Sequence, residues 1–196
     1  MSRFSQVRFL VSAASAAQFP ADVGAEVGFV GRSNAGKSSA INAITQHHGL
    51  ARTSKTPGRT QLLNFFELAP EKRLVDLPGY GYAQVTPAQR RAWVPLIEAL
   101  RERQSLRGLF VIVDARRGIG AGDEELLDWA GPGRRIRILL AKCDKLGRGE
   151  ALTALRAAQA ALGDRAGVQL FSALRGTGVG EARDELEAWL GIRGPK

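Results

Sequence analysis

Two periodicities alternate along the chain. Runs of β-branched and other apolar residues at Val7–Val11, Glu26–Val30, Gln61–Glu67, Lys72–Asp76, Gly108–Asp114, Ile136–Ala141 and Val168–Phe171 predict strands. Between them, apolar residues recurring every three or four positions predict helices over Lys37–Ile44, Pro87–Arg101, Glu124–Trp129, Glu150–Leu162 and Glu181–Leu190. Such a succession predicts an α/β fold, a mostly parallel sheet with helices on both faces. Leu109–Val113 and Ile136–Leu140 are apolar enough to be buried on both faces. Leu68–Glu71 is too short to hold a crossover helix, so the strands beside it should form a hairpin, which puts one antiparallel strand in the sheet.

The helix over Pro87–Arg101 carries the fullest signal: Thr86 as N-cap, Pro87 in the first position, Gln89 closing a capping box, and an apolar stripe of Trp93, Leu96, Ile97 and Leu100. Pro95 should kink it or leave a carbonyl unpaired. Gly163 and Gly191 are natural stops for the last two helices. Leu50–Thr60 has no periodicity and reads as a loop, and the glycine-rich stretches Gly118–Gly122 and Arg175–Gly178 read as loop punctuation.

With 196 residues and 44% apolar content, one domain with a single core is expected. Cys143 is the single cysteine, which excludes an internal disulfide. No apolar run approaches the roughly 18–20 residues that span a bilayer, so a soluble protein without membrane insertion is expected. Arg3 and Arg8 precede an apolar, small-residue stretch, Phe9–Phe19, that resembles a signal peptide, but Ser12 and Ser15 break it, and a first strand is the preferred reading. Lys and Arg number 28 against 19 Asp and Glu, a net charge of +9. That balance favours polyanionic partners, although arginines spread over a solvated surface would give the same sum.

Chemistry enters at Gly31-Arg32-Ser33-Asn34-Ala35-Gly36-Lys37-Ser38-Ser39, which matches G-x-x-x-x-G-K-S/T between a predicted strand and a predicted helix. Gly31 and Gly36 let the backbone wrap a β-phosphate, so that successive N–H groups point inward at the head of a helix. Lys37 can bridge β- and γ-phosphates, and the Ser38 hydroxyl can ligate Mg²⁺. The strand Lys72–Asp76 then ends in Asp76-Leu77-Pro78-Gly79, where the aspartate can hold a magnesium-bound water and the Gly79 N–H can meet a γ-phosphate. The intervening loop offers Thr53, Thr56 and Thr60 as magnesium ligands. Thr60 is preferred because Gly58-Arg59-Thr60-Gln61-Leu62 closes the loop where the next strand anchors it. Ordering of that loop by γ-phosphate and Mg²⁺ would make a switch.

A further strand ends in Ala141-Lys142-Cys143-Asp144. The Asp144 carboxylate can accept from guanine N1–H and the 2-amino group while the Lys142 stem covers the ring. Adenine lacks both donors and would leave the carboxylate unpaired, a difference that can reach ~10⁴-fold. Phe171-Ser172-Ala173 follows the last strand, and a backbone N–H there can donate to guanine O6.

With these residues placed, the chain resembles the EngB (YihA/YsxC) family, within the group that includes Era and the tRNA-modifying GTPase TrmE. The resemblance rests on Gly31–Ser39, Ser54–Gln61, Asn64–Phe66 and Val75–Ala83, and covers nearly the whole length. It implies a P-loop NTPase of the Ras-like G-domain type, with residues 1–22 an N-terminal strand and connection packed on a GTP-binding domain over 23–196. It also implies a cytoplasmic, monomeric GTPase with Mg²⁺ on Ser38 and Thr60, acting in large ribosomal subunit assembly and in normal cell division and septation. The family usually has threonine or asparagine where this chain has Ala141, so a polar tie between base loop and phosphate loop is expected to be missing. Tyr80 follows Gly79, so the water-orienting glutamine of Ras-type enzymes is absent and intrinsic hydrolysis should be slow. Asn34 stands where TrmE-type enzymes help bind K⁺, which makes potassium the expected second cation. Lys37, Thr60 and Asn34 are thus the candidate catalytic residues. Arg90, Arg91, Arg101, Arg103, Arg107, Arg116 and Arg117 are candidates for RNA phosphate contact. The competing readings are a GTP-controlled protein-interaction module in cell division without RNA, and a small-molecule kinase, which Asp144 disfavours.

Overall fold

A computed structural model of the chain describes residues 4, 7–51, 62–80, 87–131 and 133–192, of which 87–92 by backbone alone. Seven strands form one sheet: β1 (Arg8–Ala13), β2 (Ala25–Gly31), β3 (Leu63–Ala69), β4 (Lys72–Asp76), β5 (Leu106–Asp114), β6 (Arg135–Ala141) and β7 (Gly167–Leu170), in the order β1-β3-β4-β2-β5-β6-β7. β3 runs antiparallel to both neighbours and every other pairing is parallel. Ala69 pairs with Lys72 across a two-residue turn, as the short connection required, with Glu71 in the left-handed region at φ 58°.

Five helices cover the sheet: α1 (Lys37–Thr45), α2 (Pro87–Arg101), α3 (Ala121–Ala130), α4 (Arg148–Leu162) and α5 (Val179–Leu190). The apolar run of β5 serves both layers, because successive side chains of a strand point to opposite faces. Leu109, Val111 and Val113 pack with Leu96 and Leu100 of α2, Leu127 of α3 and Leu162 of α4. Phe110 and Ile112 pack with Ile41 and Ile44 of α1 and Leu186 and Trp189 of α5. Phe29, Phe110 and Trp189 form a stack with centroids 4.9 Å apart at each step. Gly108 makes room for it, since a Cβ there would lie 2.6 Å from the Trp189 ring.

α2 continues through Pro95 to Arg101, and the missing Pro95 N–H deprives the Arg91 carbonyl of its helical donor. Its expected cap, Thr86, lies outside the described residues, as does the Gln89 side chain. α4 ends at Gly163 and α5 at Gly191, where φ is 66°. α3 starts at Ala121, inside the stretch read as loop, because the Asp123 carboxylate accepts the Gly120 N–H at 2.8 Å and caps the turn.

The sheet's lower rim is tied by buried charge. Glu26, fully buried, accepts from Arg73 Nη1 at 2.9 Å and from Arg103 Nε at 2.7 Å and Nη2 at 2.9 Å. Both arginines also donate to Ala21 O, which fastens the segment before β2. Arg103 is therefore enclosed and committed, and is withdrawn from the set of RNA-contact candidates. Asp22 accepts from the N–H groups of Gln104 and Ser105, each at 2.9 Å, and from Ser105 Oγ at 2.5 Å.

Candidate functional site

The carboxyl ends of β2, β4, β5, β6 and β7 converge on one rim, the place where open α/β sheets hold ligands. Gly31 ends β2 against β5: a Cβ on it would lie 2.7 Å from Ile112 O. The loop then reverses through Asn34 (φ 61°) and Gly36 (φ 112°), and α1 begins at Lys37. A side chain at Gly36 would be strained by φ alone. The first-turn N–H groups of α1 thus face the hollow of the loop, where a phosphate can take them.

The Lys37 ammonium is ion-paired with Asp76, the last residue of β4. Beyond it Leu77 N–H donates to Phe29 O (2.9 Å), Tyr80 N–H to Gly31 O (3.2 Å) and Ser33 N–H to Tyr80 O (3.4 Å), so residues 77–80 run beside the phosphate loop. The Gly79 N–H has no partner among the described residues. Tyr80 is held at both ends, since its hydroxyl donates to the buried Asp123 of α3. Burial, then that hydrogen bond and the Asp123 charge, push the phenol far above its ordinary range.

Lys142, in the left-handed region at φ 59°, turns the chain after β6. Its ammonium donates to Asn34 O at 2.5 Å, so the base loop and the phosphate loop are tied after all, by Lys142 rather than by a polar side chain at 141. Cys143 is buried, its thiol pushed up by burial and then by the Asp144 charge. Asp144 Oδ1 accepts from Ser172 Oγ at 2.6 Å. In the Phe171–Ala173 segment, Phe171 N–H is taken by Leu140 O and Ser172 N–H by Thr177 O; Ala173 N–H alone has no partner among the described residues.

A cleft of about 1030 Å³ joins Arg32–Asn34, Gly36–Ser39, Leu62, Asp76–Gly79 and Lys142. Phe9, Ser12, Asn64 and Phe66, which the sequence did not nominate, also line it. Gly58, Arg59, Thr60 and Gln61 lie outside the described residues, as do the side chains of Arg90 and Arg91. Arg101 is paired with Glu98 and Glu102, Arg107 reaches Gly24 O, and Arg116 is committed to Asp114. Asp114 was also missed. Its signal was present, an acid closing the apolar run of β5 as Asp76 closes β4, but no motif surrounds it.

A phosphate loop, a facing strand-end aspartate and a lysine–aspartate base loop, all on one rim of a mostly parallel sheet, define the class of P-loop GTPases. Residues 26–142 match the family model described as "50S ribosome-binding GTPase". The chain is 50% identical to the probable GTP-binding protein EngB of Aromatoleum aromaticum, over 98% of this chain and 91% of that protein. It is also 50% identical to that of Nitrosococcus oceani, over 98% and 99%. Among solved structures, a probable GTP-binding protein EngB superposes with a TM-score of 0.65 at 21% identity, over 86% of this chain and 100% of that one. Era in complex with MgGDPNP and a piece of 16S ribosomal RNA superposes with 0.63 at 20%, over 88% and 58%. The chain belongs to the EngB family of GTP-binding proteins and is a GTPase.

Proposed function

We propose that this GTPase is a switch whose GTP form binds one state of a large ribosomal subunit precursor and whose GDP form leaves it, with a consequent role in cell division and septation. The observation that carries the switch is the Lys37–Asp76 ion pair, which joins the two groups that must part when a γ-phosphate arrives. Lys37 then turns to the β- and γ-phosphates, and the Gly79 N–H donates to the γ-phosphate. Mg²⁺ fits this donor set: Ser38 and Thr60 would hold it, with Asp76 acting through water, a sparse protein contribution of the kind magnesium takes beside phosphates. Bound there, it would neutralise charge on the phosphate oxygens. Asp144, fixed by Ser172, accepts from guanine N1–H and the 2-amino group, and Ala173 N–H donates to O6. Water attacks the γ-phosphorus and the bridging oxygen leaves with GDP. No glutamine follows Gly79 to orient that water, so the step is slow without K⁺ near Asn34 or a partner's help.

The ribosomal half is supported by the description of the matching family model and by the net charge of +9. The test is co-sedimentation of the full chain with large subunits and their precursors. GTP-analogue-dependent binding that falls steeply with salt is expected; binding indifferent to both would sink it. GTPase rates in potassium and in sodium, with and without the particles, test Asn34 alongside.

A further inference from the structure

Asp114 makes more contacts near the nucleotide site than any role given so far explains. It closes β5, is 6% exposed, and takes Arg116 bidentately, Nε at 2.9 Å and Nη2 at 2.6 Å, with the Arg116 N–H at 3.1 Å. Its Oδ2 also accepts from Lys142 Nζ at 3.3 Å. The same ammonium donates to Asn34 O. One cation therefore links the end of β5, the base loop and the phosphate loop. The Arg116 hydrogen bond, opposed by burial and aided by Lys142, holds the Asp114 carboxyl well below the usual carboxylate range, so it stays an anion.

Position 141 lies at the same junction. Ala141 is buried, and its Cβ would stand 3.7 Å from a Cβ placed on Gly36. A polar side chain there would reach the phosphate loop directly, but alanine cannot. The Lys142 side chain is one-third exposed, and its long stem has solvent as an alternative. A buried anion on the inner side offsets that alternative, because charge-assisted contacts strengthen where water is excluded.

We propose that Asp114 is a positioning residue for guanine nucleotides, holding Lys142 across the phosphate loop and standing in for the polar side chain that position 141 lacks. The inference rests on the guanine-site reading above. The claim makes Asp114 act through Lys142, without touching nucleotide. Its removal should therefore weaken GDP and GTP alike and leave base choice unchanged.

The experiment uses the full chain freed of nucleotide and measures affinity and dissociation rate for fluorescent GDP and a non-hydrolysable GTP analogue. Asp114→Asn keeps an acceptor for the Arg116 N–H and removes the charge. It should weaken both ligands by about tenfold or more, mostly through faster dissociation. In a Lys142→Met background the same change should cost nothing further, and adding Ala141→Asn to Asp114→Asn should restore part of the affinity. Unchanged affinity, or a loss that adds fully to that of Lys142→Met, overturns the proposal. A loss that Ala141→Asn leaves untouched overturns the part concerning position 141. Should Asp114→Asn fail to fold, Asp114→Ser is read the same way; failure of both assigns Asp114 to the fold alone and overturns it too. Failure of the guanine site itself would show in the unsubstituted protein, as no guanine-nucleotide binding at all.

Discussion

At the scale of single residues, the proposed choice of guanine would rest on the hydrogen-bonding sense of one side chain. An Asp144 carboxylate only accepts, and Ser172 Oγ already occupies part of Oδ1. Asp144→Asn would put a donor beside position 2 of the purine, where guanine has a donor and xanthine an acceptor. GTP affinity should fall by about 100-fold or more, and affinity for XTP should rise, as competition titration against a fluorescent nucleotide will show. Unaltered GTP binding would remove Asp144 from the site. Asp144 and Asp76 were legible because each sits in a short pattern at a strand end. Asp114 closes a strand equally well, but its partner Lys142 lies 28 residues away, and Asn34, which the same lysine reaches, lies 108 residues from Lys142, and no local spacing carries such contacts.

The elements show a systematic difference between pattern and structure. β4 and α2 have the predicted bounds, whereas α3, α4 and α5 begin at Ala121, Arg148 and Val179, two or three residues before their predicted starts. Each early turn contains a glycine, Gly122, Gly149 or Gly180, which lowers helix propensity by about 1 kcal/mol and disguises the start as loop. Capping decides otherwise: Asp123 and Glu150 accept the N–H groups of Gly120 and Gly147 at 2.8 Å. Asp123 has a second duty, since the same carboxylate accepts from Tyr80 and so pins residues 77–80 to α3. Tyr80→Phe deletes that bond and leaves an acceptor buried. The nucleotide-free protein should lose about 1–2 kcal/mol and melt about 3–6 °C lower, measured by thermal unfolding. An unchanged midpoint would mean the tie contributes nothing.

The molecule as a whole could be read for class and layering but not for the placement of its charge. Composition gives a surplus of cations, and only the fold reveals that Arg73 and Arg103 are spent inside, on Glu26. The lower rim also contributes to acid tolerance. Burial raises the Asp22 carboxyl, but hydrogen bonds from Ser105 and Gln104 and the Arg103 charge outweigh it, lowering it from 3.8 to about 2. A depressed folded-state value means that the unfolded chain binds the proton first. Asp22 therefore contributes its full stability above 3.8 and loses it as pH falls through about 2. Urea midpoints measured across that window should drop less steeply for Asp22→Asn than for the unsubstituted chain; equal slopes would place the acid-sensitive group elsewhere.

The partnership of Lys37 with Asp76 bears on what the resting protein ignores. An ammonium that already has an anion tethered to its own sheet gives little welcome to a free one. Orthophosphate would have to displace the carboxylate unaided, without a purine edge to anchor it at the loop after β6. A nucleotide brings both ends at once, and the second attachment is then a local event. The loop should in this way take the commonest small anions weakly and a nucleotide, which arrives with its base, far better.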